Sequence, residues 1–406
     1  MVAGPVEEFE YSGIATHVVF GAGAARGSRF VDAVRGLGVE RLLLVASGGE
    51  ADRAEPIAEV LDGLVAARFS QVRPHVPIEV AQAARAAARE AGVDGVLSVG
   101  GGSTTGTAKA IALDWGPPTP PTPPTPPTPP TPPTLPIIAV PTTYAGSEVT
   151  PVWGLTERSR KTTGTDQRVL PKLVVYDPEL TLTLPPGLSA VSGLNALAHS
   201  AEALWSPRRN PVTSLIAEES IRALAGGLPG VVADGLSIAA RSRVLYGAWL
   251  AGTAFASVGS YLHHKVCHLL GGAYNLPHAE THAVVLPYAA AVAAPRVDGI
   301  DARIAAAVGS RSADAAAALA DLGRRLGVPR SLRELGLRDD QLDEAVELVG
   351  ETVAALPDPF PAGQISALVR GAFAGAPPSA GAAPSRRTAQ TRPTHRSGSR
   401  SGSIGR

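Results

Sequence analysis

The sequence predicts an α/β domain built on a parallel sheet, followed by an all-helical domain. Three observations carry that expectation. From Ile14 to about residue 185, short apolar runs alternate with alanine-rich stretches of helical spacing. Two of those runs end directly in glycine-rich segments, at Gly21 and at Gly100. From about Ser189 onward the spacing is helical, with almost no strand signal.

Taken in order, the apolar runs 17–20, 42–46, 95–99, 137–140 and 173–176 predict strands. Residues 56–68 and 78–91 show helical spacing between them, and a helix over 107–113 follows the second glycine segment. Past the turn residues at 184–188, helices are expected over 189–205, 211–226, 235–260, 262–272, 301–308, 312–326 and 340–355. The chain therefore divides into an α/β domain (1–185), a helical domain (186–375) and a tail (376–406).

Two segments distort the composition. Thirteen of the 37 prolines lie within residues 117–136, where six Pro-Pro-Thr triplets occupy 117–134. Proline fixes φ and lacks an N–H, so this insert reads as polyproline II looping out of the α/β domain. The tail is low in complexity and is expected to be disordered. It holds six arginines and no acid, so the formal charge of zero conceals a body of 30 basic and 36 acidic residues. An acidic body lacks the basic footprint of a nucleic-acid binder. The single cysteine, Cys267, is expected to exclude both an intramolecular disulfide framework and any Cys-based zinc site, and fits a reducing compartment. The acidic N-terminus does not resemble a signal peptide. The most apolar stretch, 247–262, is broken by small and polar residues, short of the roughly 20 needed to cross a bilayer. A cytoplasmic protein without membrane partners is expected.

The first glycine segment, Gly21-Ala22-Gly23-Ala24-Ala25-Arg26-Gly27, is one residue off the dinucleotide fingerprint, and an ordinary strand-to-helix turn explains it as well. The second is stronger. Gly100, Gly101 and Gly102 allow close backbone approach, the following helix start offers free N–H groups, and Ser103 and Thr104 add hydroxyls. Lys109 is not followed by Ser or Thr, so this is not a Walker loop, and a dinucleotide pyrophosphate is the expected guest. Strand 137–140 leads into a second small polar loop with Thr142, Thr143 and Ser147, and two such strand ends would form one crevice.

Histidines make the other constellation. Six of nine lie between 199 and 282: His199, His263, His264, His268, His278 and His282. Asn195 and His199 share a helix face, as do His264 and His268, and His278 follows the turn Asn275-Leu276-Pro277. Asn195 argues against tight metal binding, because a neutral amide brings no charge to a divalent cation.

Together these segments resemble the iron-containing (group III) alcohol dehydrogenase superfamily, whose architecture is shared with dehydroquinate synthase. The resemblance is carried by 20–24, 100–106, 141–148 (PTTYAGSE), 192–199 (SGLNALAH), 263–268 (HHKVCH) and 274–282 (YNLPHAETH). It spans roughly residues 9–375 without the insert. It implies a nicotinamide cofactor, NADH or NADPH, on Gly100, Gly101, Gly102, Ser103, Thr104, Thr142, Thr143, Ser147 and Lys161. Metal-dependent members use an aspartate and three histidines, at positions that here are Asn195, His199, His264 and His278. The asparagine, the His263-His264-Lys265 run and Ala279-Glu280-Thr281-His282 look like the maleylacetate reductase branch, whose members can work without metal. That branch implies a homodimer reducing the carbon–carbon double bond of a small dicarboxylate, maleylacetate, to 3-oxoadipate in aromatic-ring degradation. Asn195, His199, His264, His268, His278 and Lys265 would be its catalytic residues. The alternative is a metal-dependent alcohol dehydrogenase of the same superfamily. Ser47 stands near where NAD-selective relatives place an acid, so NADPH is expected to be accepted as well.

Overall fold

A computed structural model describes residues 9–115, 134–158 and 160–379. The α/β half contains β1 (His17–Phe20), β2 (Leu42–Val45), β3 (Val65–Phe69), β4 (Gly95–Gly100), β5 (Ile137–Pro141), β6 (Val152–Glu157), β7 (Arg160–Thr165) and β8 (Leu173–Tyr176). Six of these form one sheet in the order β1-β8-β5-β4-β2-β3, with every neighbouring pair parallel. Successive residues of β2 alternate between its two faces. Leu42 and Leu44 join Phe30, Val34 and Ile57 of α1 (Ser28–Arg35) and α2 (Ala51–Glu59). Leu43 and Val45 join Val80, Ala84 and Ile111 of α3 (Ile78–Glu90) and α4 (Gly102–Leu113) on the other side. A sheet buried on both faces explains why its central strands read as continuous apolar runs.

Residues 56–68, expected as one helix, are the end of α2 and strand β3. The chain turns between them through positive φ at Asp62 and Gly63. β3 is an edge strand in which half-buried and exposed residues alternate, and Ala66 and Ala67 give it little β signal. The antiparallel hairpin β6–β7 was also not foreseen, because its residues are largely polar or small and only partly buried. α4 begins at Gly102, five residues before the expected start at 107.

The helical half comprises α5 (Pro186–Trp205), α6 (Pro211–Ala233), α7 (Ile238–Val258), α8 (Leu262–Tyr274), α9 (His278–Ala293), α10 (Ile300–Val308), α11 (Ala315–Leu326), α12 (Leu342–Ala354) and α13 (Ala362–Ala374). α5 is buried almost along its whole length and forms the axis of this half. α9 and α13 were not expected. α9 is buried on every side from Thr281 to Ala293 and contains Pro287, so it shows neither an amphipathic period nor an unbroken helical sequence.

Most of the proline insert and residues 380–406 lie outside the described residues, and so do the expectations for them. The described chain enters the expected tail as far as Ser379, and the Tyr288 hydroxyl donates to the Ala376 carbonyl at 2.8 Å. Among the described residues, no helix is long and apolar enough to cross a membrane.

Candidate active site

The carboxyl ends of β4 and β5 lie side by side, with Gly100 opposite Pro141. Gly100 has φ +150°, and a Cβ there would stand 2.5 Å from Thr104 Oγ1, so only glycine fits. A Cβ on Gly101 would meet Thr143 Cγ2 at 3.1 Å, which shows how closely the two strand ends approach. α4 starts here with no side-chain cap, leaving first-turn N–H groups free for an anion. Ser103 is half-buried and suits that role. Thr104 is buried with its hydroxyl against Gly100, where it shapes the loop. Thr142 donates to Glu50 Oε1 at 3.2 Å across the sheet edge.

Beneath these strand ends lies a buried lysine. Lys109 of α4 donates from Nζ to the carbonyls of Ser147, Thr150 and Val152, each at 2.7 Å, pinning the chain between β5 and β6. Burial pulls its pKa down to about 7, partly opposed by the nearby Glu148 carboxylate. Burial raises Glu148, which accepts a 2.8 Å hydrogen bond from the Tyr176 hydroxyl.

The histidines converge from α5, α8 and α9. His199 stacks on His264 with ring centroids 4.8 Å apart, and Phe255 of α7 lies 4.6 Å and 4.4 Å from them. His264 and His282 are 4.8 Å apart, His278 and His282 4.5 Å, and His268 and His278 5.9 Å. His268 and His278 are exposed; His199, His263, His264 and His282 are buried. The cluster adjoins the loop after β5, because a Cβ on Gly146 would be 3.5 Å from His199 Nδ1.

Behind His264 stands the carboxylate of Glu202, fully buried. It accepts from His264 Nδ1 at 3.0 Å and from the backbone N–H groups of Tyr261 and His264. Burial raises Glu202 to about 7. Burial, reinforced by neighbouring imidazoles, lowers His199 to about 3 and puts His264 and His282 well below the ordinary range. Burial thus favours the neutral form of the inner imidazoles. His264 Nε2, His199 Nδ1 and Asn195 Oδ1 are buried without a protein partner. Unpaired polar atoms of this kind are costly to bury, and a ligand that bonds them recovers the cost.

Comparison with known proteins agrees along the chain. Two family descriptions match, "Iron-containing alcohol dehydrogenase" over residues 15–178 and "Fe-containing alcohol dehydrogenase family, C-terminal" over 189–373. The chain belongs to the iron-containing alcohol dehydrogenase family. It is 44% identical to maleylacetate reductase of Rhizobium sp. (strain MTP-10005), over 92% of this chain and 100% of that one. The crystal structure of maleylacetate reductase from Agrobacterium tumefaciens superposes with a TM-score of 0.83 at 43% identity, covering 92% of this chain and 100% of that chain. Sulfoacetaldehyde reductase from Bifidobacterium kashiwanohense in complex with NAD+ gives a TM-score of 0.79 at 25% identity, covering 90% and 99%. The family and this likeness support a nicotinamide cofactor.

The positions expected to correspond to the family's metal ligands are Asn195, His199, His264 and His278. Among the described residues, the groups of His, Cys, Asp and Glu whose ligand atoms all lie within 4.8 Å of one another are His263–Cys267–His282 and Glu202–His263–His264. His199, His264 and His278 form no such group, whereas ligands around a tetrahedral ion at about 2.1 Å stand roughly 3.4 Å apart. With a neutral amide as the remaining donor, these residues do not fit a resident ion. The lone Cys267, expected to carry no metal chemistry, nevertheless sits in a donor group with two imidazoles.

The structure brings Asn195, His199, His264, His268 and His278 to one region and leaves Lys265 exposed one residue beyond His264. Lys161 lies on β7 opposite Thr156, and its side chain is outside the described residues. Glu202, Phe255 and Glu50 were missed. A glutamate three residues after His199 was the available signal for Glu202, since that spacing returns to the same helix face.

Proposed function

We propose that this chain catalyses NADH- or NADPH-dependent reduction of the carbon–carbon double bond of maleylacetate to 3-oxoadipate in aromatic compound degradation. The observation that carries the reading is the set of buried, unpartnered polar atoms on Asn195, His199 and His264, in a chain 44% identical over 92% of its length to a maleylacetate reductase. A neutral site that offers hydrogen bonds suits a conjugate reduction better than a bare alcohol oxidation, in which a cation would hold the oxygen.

The step balances as follows. Hydride leaves the reduced nicotinamide for the alkene carbon conjugate to the ketone, and the π pair moves onto the ketone oxygen as an enolate. A proton then adds to the neighbouring carbon, and NAD(P)+ and 3-oxoadipate depart. His264 and His199 line the enolate site, and Asn195 contributes its amide. The Glu202–His264 pair presents an Nε2–H toward the enolate oxygen when it carries one added proton. His268 or His278, both exposed at the mouth, supplies the proton for carbon. Lys265 offers charge to a substrate carboxylate from the adjacent surface. No step requires a metal.

Gly100, Gly101, Gly102, Ser103, Thr142, Thr143, Ser147 and Lys161 form the proposed cofactor surface, with Thr104 supporting the loop from below. Ser47 places no acid against a 2′-phosphate and the nearby Glu50 is ion-paired with Arg53 at 2.7 Å, so both coenzymes serve, and a large NADH-only preference in steady-state kinetics refutes this. A homodimer is proposed from the family resemblance, and sedimentation tests it. The test of the main reading is loss of reduced-nicotinamide absorbance with maleylacetate before and after a chelator. Turnover that survives chelation supports the proposal. Activity lost with the metal, together with oxidation of simple alcohols, supports the metal-dependent alternative.

A further inference from the structure

We infer that Glu202 is the positioning residue of His264: its carboxylate holds the imidazole by Nδ1 and so aims Nε2 at the substrate. The inference rests on the catalytic part proposed for His264, and it assigns a part to a residue that does not itself face the cleft.

Three observations carry it. Glu202 is completely buried, on the α5 face that also carries Asn195 and His199. A carboxylate is costly in such a place unless its lone pairs are filled. Here they are filled from one direction only, the first turn of α8: the backbone N–H of Tyr261, the backbone N–H of His264 and the His264 ring at 3.0 Å. The start of α8 is thus tied to α5 through one side chain. α8 has no side-chain cap of its own at Tyr261, and the Glu202 carboxylate takes the place of one, at the end of the helix that favours negative charge.

The ring consequence follows from the geometry. A hydrogen bond to one imidazole nitrogen settles the ring plane and leaves the other nitrogen to face the opposite way. Nε2 of His264 is the nitrogen left buried and unpartnered, next to the His199 ring and under Phe255. Packing alone does not settle this, because rotation of the ring by half a turn about its long axis would fill nearly the same volume with the nitrogens exchanged for carbons. The carboxylate removes that freedom.

The test uses the full chain with Glu202→Gln, which keeps the volume and one acceptor oxygen for the backbone N–H groups but puts a neutral amide against Nδ1. Expected are a melting temperature close to wild type, unchanged NADH affinity, and a kcat lowered about ten- to a hundredfold with little change in KM. Nuclear magnetic resonance on 15N-histidine-labelled protein is expected to show a strongly downfield His264 Nδ1 proton in the wild type, absent from the variant. A variant that melts lower yet keeps kcat within twofold, or that retains the downfield proton, overturns the inference. Should Glu202→Gln fail to fold, Glu202→Asp is read in the same way: its carboxylate is retracted by one methylene, and unaltered kcat with an unaltered Nδ1 signal overturns the inference. A wild type that does not reduce maleylacetate rejects the functional reading, and the Nδ1 proton still decides the role of Glu202.

Discussion

At the residue scale the site is governed by what burial does to a few polar groups. His264 is held neutral by desolvation first and by neighbouring imidazoles second, so it contributes a directed nitrogen and no standing charge. Replacing it with Ala should lower kcat at least a hundredfold while NADH binding is retained. Unchanged turnover would remove its role. Glu50 is an acid at the edge where none was expected. It is paired with Arg53 at 2.7 Å and bonded to Thr142. Glu50→Gln should therefore raise kcat/KM for NADPH relative to NADH, because it removes a negative charge and releases Arg53; an unchanged ratio of the two coenzymes counts against it. Lys109 offers a pH signature. Its ordinary value is 10.5 and burial lowers it to about 7, so between these values the unfolded chain holds a proton that the folded chain has lost. Stability from this group thus rises with pH across that window, and its penalty is complete below it. In urea unfolding, the wild type should gain on Lys109→Met as pH rises through the window, and a constant difference refutes the assignment.

At the element scale, the helical half and the sheet loops touch where both are made of glycine. A Cβ on Gly252 of α7 would lie 2.5 Å from Val149 Cγ2 and 2.9 Å from the Gly146 carbonyl. Gly146 in turn sits at φ +75° against His199. Gly252→Ala should push the 146–149 loop off α7, costing about 1–3 kcal/mol and raising KM for the coenzyme. Wild-type stability and KM together would show that the contact is loose. The central strands and amphipathic helices such as α3 were legible because their periods are regular. β3 and the β6–β7 hairpin were not, since edge strands with small or polar residues satisfy no strong pattern. α9 was hidden for the opposite reason: a helix buried on all sides has no polar face to betray its period.

At the scale of the whole molecule, the described fold closes without the Pro-Pro-Thr insert and without the arginine-bearing end. α4 ends at Leu113 and β5 begins at Ile137, each packed in the same core. Removing residues 117–133 and 380–406 together should leave maleylacetate reduction within about twofold of the full chain. Loss of activity in a folded truncated protein would instead give those segments a part in function. By itself, the sequence determined the α/β-then-helical order, the glycine-edged ends of two strands and the candidate histidines, because periodicity, glycine placement and residue type are local properties. Tertiary structure alone decided that burial lowers the pKa of these imidazoles, that His199, His264 and His278 form no close donor group among the described residues, and that Glu202 stands behind His264. Each of these depends on burial or on contacts across separate helices, in the case of Glu202 and His264 across 62 positions of sequence. Desolvation and distance are set only when the chain has packed.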